Sequence, residues 1–194
     1  GQFKRDILTE ISATLAFSAI QNNDKVGLLL FSNEIELFIP PKKGKTHVLR
    51  IIRELIEFKP NSKKTDLTQA LRYFSNVMKK KAIVFILSDF IDTGYDNALK
   101  IVGKKHDVTG IRVYDKLETE LPKLGMVPMR DAESGEIVLV NTNSKTVRRN
   151  YRANYFQSVD YFEDSFTKSG SGVINTRVDE SYVKKLLGYF KRRA

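Results

Sequence analysis

Ala82-Ile83-Val84-Phe85-Ile86-Leu87, closed by Ser88-Asp89, is the stretch that decides the fold. Six apolar residues in a row, ended by polar ones, read as a strand covered on both faces. A strand with one wet face would alternate instead. Val26-Gly27-Leu28-Leu29-Leu30-Phe31 shows the same pattern upstream, and Val108 to Tyr114 forms a third strand downstream.

The segments between these strands have helical periodicity. Over 4–21, Ile7, Leu8, Ile11, Leu15, Ser18 and Ala19 share a face. Over 46–58 the stripe is Val48, Ile51, Ile52, Leu55 and Ile56, and over 66–80 it is Leu67, Ala70, Leu71, Phe74, Val77 and Met78. A shorter helix is predicted over 94–103. Strands alternating with helices predict an α/β fold: a three-layer, doubly wound, mostly parallel sheet. Ile35 to Ile39 is expected as an antiparallel edge strand, ended by Pro40 and Pro41.

The alternation then breaks. Residues 126–129 and 137–140 read as a β-hairpin around Asp131-Ala132-Glu133-Ser134-Gly135, and 145–168 as a helix. Together they suggest a hairpin-plus-helix insertion at about 116–170. Val173-Ile174-Asn175 is a short strand, and Asp179 is placed to cap a last helix over 180–192. Without an internal repeat or low-complexity linker, 1–194 reads as a single domain.

The chain has 194 residues with 41% apolar content, as expected of a folded domain. Zero cysteines exclude disulfides, thiolate metal sites and cysteine nucleophiles. The net charge of +10 is spread over several elements, which favours a solvated basic surface over a nucleic-acid groove. No segment has the ~20 apolar residues of a membrane span. The chain opens at Gly1 rather than Met and runs straight into helical sequence, so residues upstream are expected.

Few motifs point to catalysis. Gly44-Lys45-Thr46 lacks the earlier glycine of a phosphate loop, and there is no G-x-S-x-G elbow. His47 and His106 have no partner at ligand or triad spacing, so both read as solvated. Lys64-Thr65-Asp66-Leu67 and Ser88-Asp89 stand out. Taken singly, Asp66 with Gln69 is a helix cap and Asp89 a turn residue. Taken jointly, a hydroxyl before a helix and a carboxylate at a strand end meet at the carboxyl edge of a parallel sheet, where such folds bind ligands. Hard oxygen donors there suit a divalent cation such as Mg2+.

The order of strand, hairpin edge, helix, Thr-Asp-Leu helix and Ser-Asp strand resembles the von Willebrand factor A domain. Asn23-Asp24-Lys25-Val26-Gly27-Leu28, Pro40-Pro41-Lys42-Lys43-Gly44, Leu87-Ser88-Asp89-Phe90-Ile91-Asp92, Glu120-Leu121-Pro122 and Arg130 to Glu136 resemble more closely the bacterial proteins called domain of unknown function 58, which are MoxR-associated. Phe3-Lys4-Arg5-Asp6 and Asp179 to Val183 extend the likeness across almost the whole chain.

The resemblance implies a metal-ion-dependent adhesion site. Thr65 and Asp89 stand where its threonine and late aspartate belong. Its Asp-x-Ser-x-Ser loop and central first strand would precede Phe3 and are not in this chain. Lys64 and Phe90 replace residues that are commonly glycine. The expectation is an incomplete site that holds no cofactor in this chain, with Mg2+ a candidate ligand of the intact protein. Three arrangements follow for the missing strand: its neighbours close on each other, another segment fills the gap, or the chain is a piece of a longer protein.

The implied function is a non-catalytic, cytoplasmic scaffold or adaptor, with a MoxR-type AAA+ ATPase or its client as protein partner. The rivals are a Mg2+-dependent phosphatase or nuclease, for which only Asp89 and Asp92 offer carboxylates, and a nucleic-acid binder resting on charge alone.

Overall fold

The computed structural model describes residues 2–62, 64–130 and 136–193. The elements run α1 (Gln2–Gln21), β1 (Val26–Phe31), β2 (Ile35–Lys42), α2 (Lys45–Glu57), α3 (Leu67–Val77), β3 (Ile83–Ser88) and α4 (Asp96–Lys105). They continue with β4 (Asp107–Tyr114), α5 (Lys116–Thr119), β5 (Met126–Arg130), β6 (Ile137–Asn141), α6 (Lys145–Lys168), β7 (Gly172–Arg177) and α7 (Tyr182–Arg193).

The centre is a parallel sheet in the order β3-β4-β7. Alternate residues point to opposite faces, so each apolar strand feeds two cores. On one face Ile86 and Val108 meet Leu67, Ala70 and Leu71 of α3, Leu99 and Val102 of α4, and Phe162 and Phe166 of α6. On the other face Ile111, Val113 and Ile174 meet Ile11 of α1 and Leu186 and Tyr189 of α7. Gly110 leaves room for α6: a Cβ there would come within 2.6 Å of Phe166 and 2.7 Å of Phe162.

β1 and β2 form a separate antiparallel pair. Of the arrangements expected where the first strand is missing, closure of its neighbours on each other does not occur. Among the described residues β1 does not pair with β3, so the two strands do not close on each other. Neither is buried on both faces: β1 has no fully buried residue, and β3 has one, Ile86. All-apolar composition marks strands built for cover, and each of these keeps one edge without a strand neighbour. The two sheets are nevertheless neighbours, since Phe31 and Ile35 pack against the core that contains Ile86 and Phe90.

β2 also runs through Pro40 and Pro41, where a strand end was expected. The register slips between Val26 and Leu28, so the prolines fall in a bulge, where the absent N–H groups cost no ladder bond. Gly27 lies opposite, and a Cβ there would sit 2.9 Å from the Ile39 carbonyl oxygen.

Between β4 and β7 come the short helix α5, which periodicity missed, and the β5–β6 hairpin, a sheet of its own. Buried Thr142 ties the hairpin base: its Oγ1 accepts from Leu124 N at 2.9 Å, and its N donates to Gly125 O at 2.8 Å. Ser144 caps α6 by accepting from Val147 N. At α7 the expected Asp179 cap is replaced by Ser181, whose Oγ accepts from Lys184 N, while Asp179 pairs with Arg177.

Candidate functional site

Asp89 follows β3 at the carboxyl end of the parallel sheet, as the apolar run ending in Ser-Asp predicts. Its side chain is 39% exposed, and Lys4 Nζ stands 3.6 Å from its Oδ2. The same ammonium is 2.6 Å from Glu118 Oε1 on α5. Lys4 thus bridges two carboxylates from the loops beyond β3 and β4.

Beneath Asp89 lies Arg112 of β4, only 2% exposed. Its Nε donates to the Asp89 carbonyl at 3.1 Å and its Nη1 to the Tyr155 hydroxyl at 3.0 Å. The guanidinium carbon lies 4.8 Å from the Tyr155 ring centroid and 5.1 Å from that of Tyr114. A weakly hydrated, planar cation suits such a place, where aromatic faces and oxygen acceptors replace water. Burial pushes the Tyr155 phenol up, while its bond to Arg112 pulls it back. Sequence reasoning passed over Arg112. The signal was present, as a lone arginine in the otherwise uncharged stretch Val108 to Tyr114.

Phe90 turns the chain away from β3 with φ 54, a left-handed backbone that disfavours side chains with a Cβ. Its ring is fully buried and stacks on Phe162 at 4.1 Å between centroids. Packing against α6 therefore holds a conformation that glycine would adopt without cost.

Thr65 is exposed, and among the described residues no hydrogen bond joins it to Asp89. Asp66 accepts from Gln69 N at 2.8 Å, the capping role anticipated for it, and its own N donates to Ser32 O. The carboxylate that links the two loops is Asp92. Its Oδ2 accepts from Leu67 N at the start of α3 at 2.8 Å, and its Oδ1 from Thr93 N at 2.8 Å. An aspartate at the helix start also complements the helix dipole. Sequence reasoning named Asp92 only with Asp89, as a carboxylate for the rival enzyme reading.

These donors do not fit a divalent cation. The Asp89 carboxylate faces the Lys4 ammonium, and Asp66 and Asp92 are occupied by main-chain N–H groups. Among the described residues no group of three or more His, Asp or Glu side chains is placed to hold a metal. What the face offers is the partly exposed Lys4–Asp89 pair, with Ile91 exposed two residues beyond Asp89.

The histidines correct another expectation. His106 is buried beneath α3, its ring 5.0 Å from that of Phe74, with Nδ1 accepting from Ala82 N. Burial and then Lys105 hold its imidazole below the ordinary value. His47 is half-buried with Nε2 2.8 Å from the Val26 carbonyl. Neither is a free surface group. Two hollows lie away from Asp89: one is lined by Lys81, Lys104, Lys105 and His106 at the opposite end of β3, the other by Glu10, Ile56 and Lys59 between α1 and α2.

Fold and site together define a mixed α/β domain with a polar face at the carboxyl end of its parallel sheet. The chain belongs to the family described as "Protein of unknown function DUF58", which matches residues 1–160. It is 26% identical over 137 residues to the uncharacterized protein Rv1480 of Mycobacterium tuberculosis, covering 69% of this chain and 43% of that protein. The chain thus spans less than half the length of that relative. It is 21% identical over 162 residues to the uncharacterized protein MAV169 of Mycobacterium avium, covering 80% of this chain and 93% of that one.

Two solved structures share the fold. The conserved hypothetical protein BatB of Bacteroides thetaiotaomicron aligns with a TM-score of 0.51 and 15% identity, over 92% of this chain and 83% of that chain. An aerotolerance-related membrane protein of Bacteroides fragilis aligns with a TM-score of 0.53 and 16% identity, over 92% and 85%. Among the described residues of this chain, no helix is long and apolar enough to cross a membrane.

Proposed function

We propose that this chain is a non-catalytic protein-interaction module, the docking part of an adaptor that works with a MoxR-type AAA+ ATPase. The observation that carries the reading is the Lys4–Asp89 pair, 3.6 Å apart at the carboxyl end of the sheet. It is an open polar contact face rather than a cleft, and small-molecule chemistry is normally done in concave, largely apolar sites. Exposed Ile91 gives the face an apolar anchor, and Lys4 and Asp89 give it a charge pattern. Such a pattern selects and orients a protein partner more than it adds raw affinity.

The Asp92 bond to Leu67 N and the Arg112 bond to Asp89 O keep the face in one shape. A preordered surface loses less entropy on docking. The resemblance to von Willebrand factor A domains supports the same reading, since parallel α/β sheets bind their ligands at the carboxyl ends of the strands. The ATPase is proposed on family resemblance alone.

Co-purification of the full-length protein with its MoxR-type ATPase tests the proposal. Asp89→Ala and Ile91→Ala are expected to reduce capture roughly tenfold or more, as removal of an interface anchor does. Capture that is unchanged in both variants would refute docking at this face.

A further inference from the structure

We propose that the end of the parallel sheet opposite Asp89 is a contact surface for anionic phospholipid membranes. The net charge of +10 looks dispersed along the sequence, but the fold gathers much of it. β3, β4 and β7 are parallel, so the turns that lead into them share one end of the sheet. Lys79, Lys80 and Lys81 lead into β3, and Lys104 and Lys105 lead into β4. α7 returns to the same end: Phe190 lies edge-on to Phe85 of β3 at 6.0 Å, and the Tyr189 and Thr109 hydroxyls are 2.9 Å apart. Its last turn brings Lys191 and Arg192 there.

The β1–β2 pair adds to this end. Ser32, just past β1, accepts from Asp66 N, and Asp92, past β3, accepts from Leu67 N. The finishing ends of β1 and β3 thus adjoin. Lys42, opposite Val26 where β1 begins, belongs to the other end.

A lysine in the last turn of a helix complements the helix dipole, which accounts for Lys104 and Lys105 singly. It does not account for their meeting Lys81 around one hollow of about 540 Å3. Among the described residues neither these three lysines nor Lys191 and Arg192 form an ion pair. Asp107, the acid on the wall of the hollow, is already engaged. Like charges held together repel until an anion joins them, so the occupant this end selects is polyanionic.

The apolar side chains among the cations favour a bilayer over a nucleic acid. Ile83 is 69% exposed and lines the same hollow as Lys81, Lys104 and Lys105. Ile101 is exposed one turn before Lys105, and Phe190 is exposed beside Lys191. Bases need open aromatic faces to stack on, and the Phe190 ring is already in edge contact with Phe85 and Tyr189. Cations that meet headgroups, with apolar side chains that dip beneath them, are the pattern of a protein lying on a membrane surface. With this end on the bilayer, the Lys4–Asp89 face points away and stays open to a protein partner, so the two surfaces stand or fall separately.

Co-sedimentation of this chain with lipid vesicles tests the proposal. At about 0.1 M salt, binding is expected to phosphatidylcholine vesicles with about 30% phosphatidylglycerol and not to phosphatidylcholine alone. Lys80→Gln with Lys81→Gln should weaken it about tenfold or more. Ile83→Ser should weaken it about threefold and leave its salt dependence unchanged. Lys145→Gln with Arg149→Gln removes the same charge from the start of α6, far from the turn into β7, and should change binding less than about twofold. All five side chains are exposed, so these variants keep the fold. No binding to the anionic vesicles, or equal losses in the two double variants, overturns the proposal. So does tighter binding to duplex DNA at equal phosphate concentration that Ile83→Ser leaves unchanged, the behaviour of a nucleic-acid surface.

Discussion

The ring of Phe90 lies 4.1 Å from that of Phe162 at an interplanar angle of 25°, while the Phe90 backbone holds φ 54. Favourable stacking and an unfavourable backbone meet in one residue. They can be separated by mutation. Phe90→Ala loses the ring and keeps the Cβ in a left-handed conformation, and should cost about 3–5 kcal/mol. Phe90→Gly loses the ring but relieves the backbone by roughly 1 kcal/mol. Urea unfolding should find the glycine variant no less stable than the alanine one. The opposite order would show that φ at this position carries no strain.

Arg112 is held by acceptors and rings, and among the described residues no carboxylate is one of its hydrogen-bond partners. Lysine keeps the charge but loses the planar fork and the ring contacts. Arg112→Lys should therefore destabilise by about 2–3 kcal/mol, and Tyr155→Phe by about 1 kcal/mol. Losses in Arg112→Lys below those in Tyr155→Phe would mean that the guanidinium plane is unimportant.

The Lys4–Asp89 pair is partly exposed, at 19% and 39% for the two side chains. Solvent screening keeps its coupling within about 1 kcal/mol. A double-mutant cycle with Lys4→Met and Asp89→Asn measures it. In the same samples, Mg2+ titrated by calorimetry should give no micromolar binding, because Asp89 faces an ammonium rather than other oxygen donors. Micromolar affinity would reverse our reading of the donor set.

His106 supplies a pH dependence. Its folded imidazole is held below the model-peptide value of 6.5, so the unfolded chain takes up a proton that the folded one resists. The stability tied to the neutral ring is complete above pH 6.5 and is lost as pH falls toward the lowered folded value. Melting temperatures measured between about pH 5 and pH 7.5 should fall more steeply on acidification in the wild type than in His106→Gln. Parallel slopes would show that the histidine does not contribute.

Local pattern located the elements well. The apolar runs at 26–31 and 82–87 and the helical stripe over 145–168 lie within a residue of β1, β3 and α6. These segments are long or uniformly apolar, and such signals survive any tertiary context. Pairing was less legible. Nothing in Val26–Phe31 or Ile83–Ser88 specifies which strand lies beside it, and the structure leaves them in different sheets.

The site was legible in part for a related reason. Asp89 could be placed because a strand end is a local feature. Asp92 reaches Leu67, 25 residues earlier in the chain, and Arg112 reaches Tyr155, 43 residues later. Contacts of that span depend on the finished fold. Ser181 displaced Asp179 as the α7 cap because Arg177 draws the aspartate away, a competition that residue spacing does not encode.

The divided sheet gives the molecule an inverted stiffness profile. β4 is bonded on both sides and is the most thoroughly covered strand, whereas β1 and β3 each have one bare edge. Amide protons in β4 will exchange with solvent most slowly. Those on the bare edge of β3 will exchange orders of magnitude faster, though they belong to the adjoining strand of the same sheet. The protected centre of this chain is its fourth strand, bonded to a neighbour along each edge.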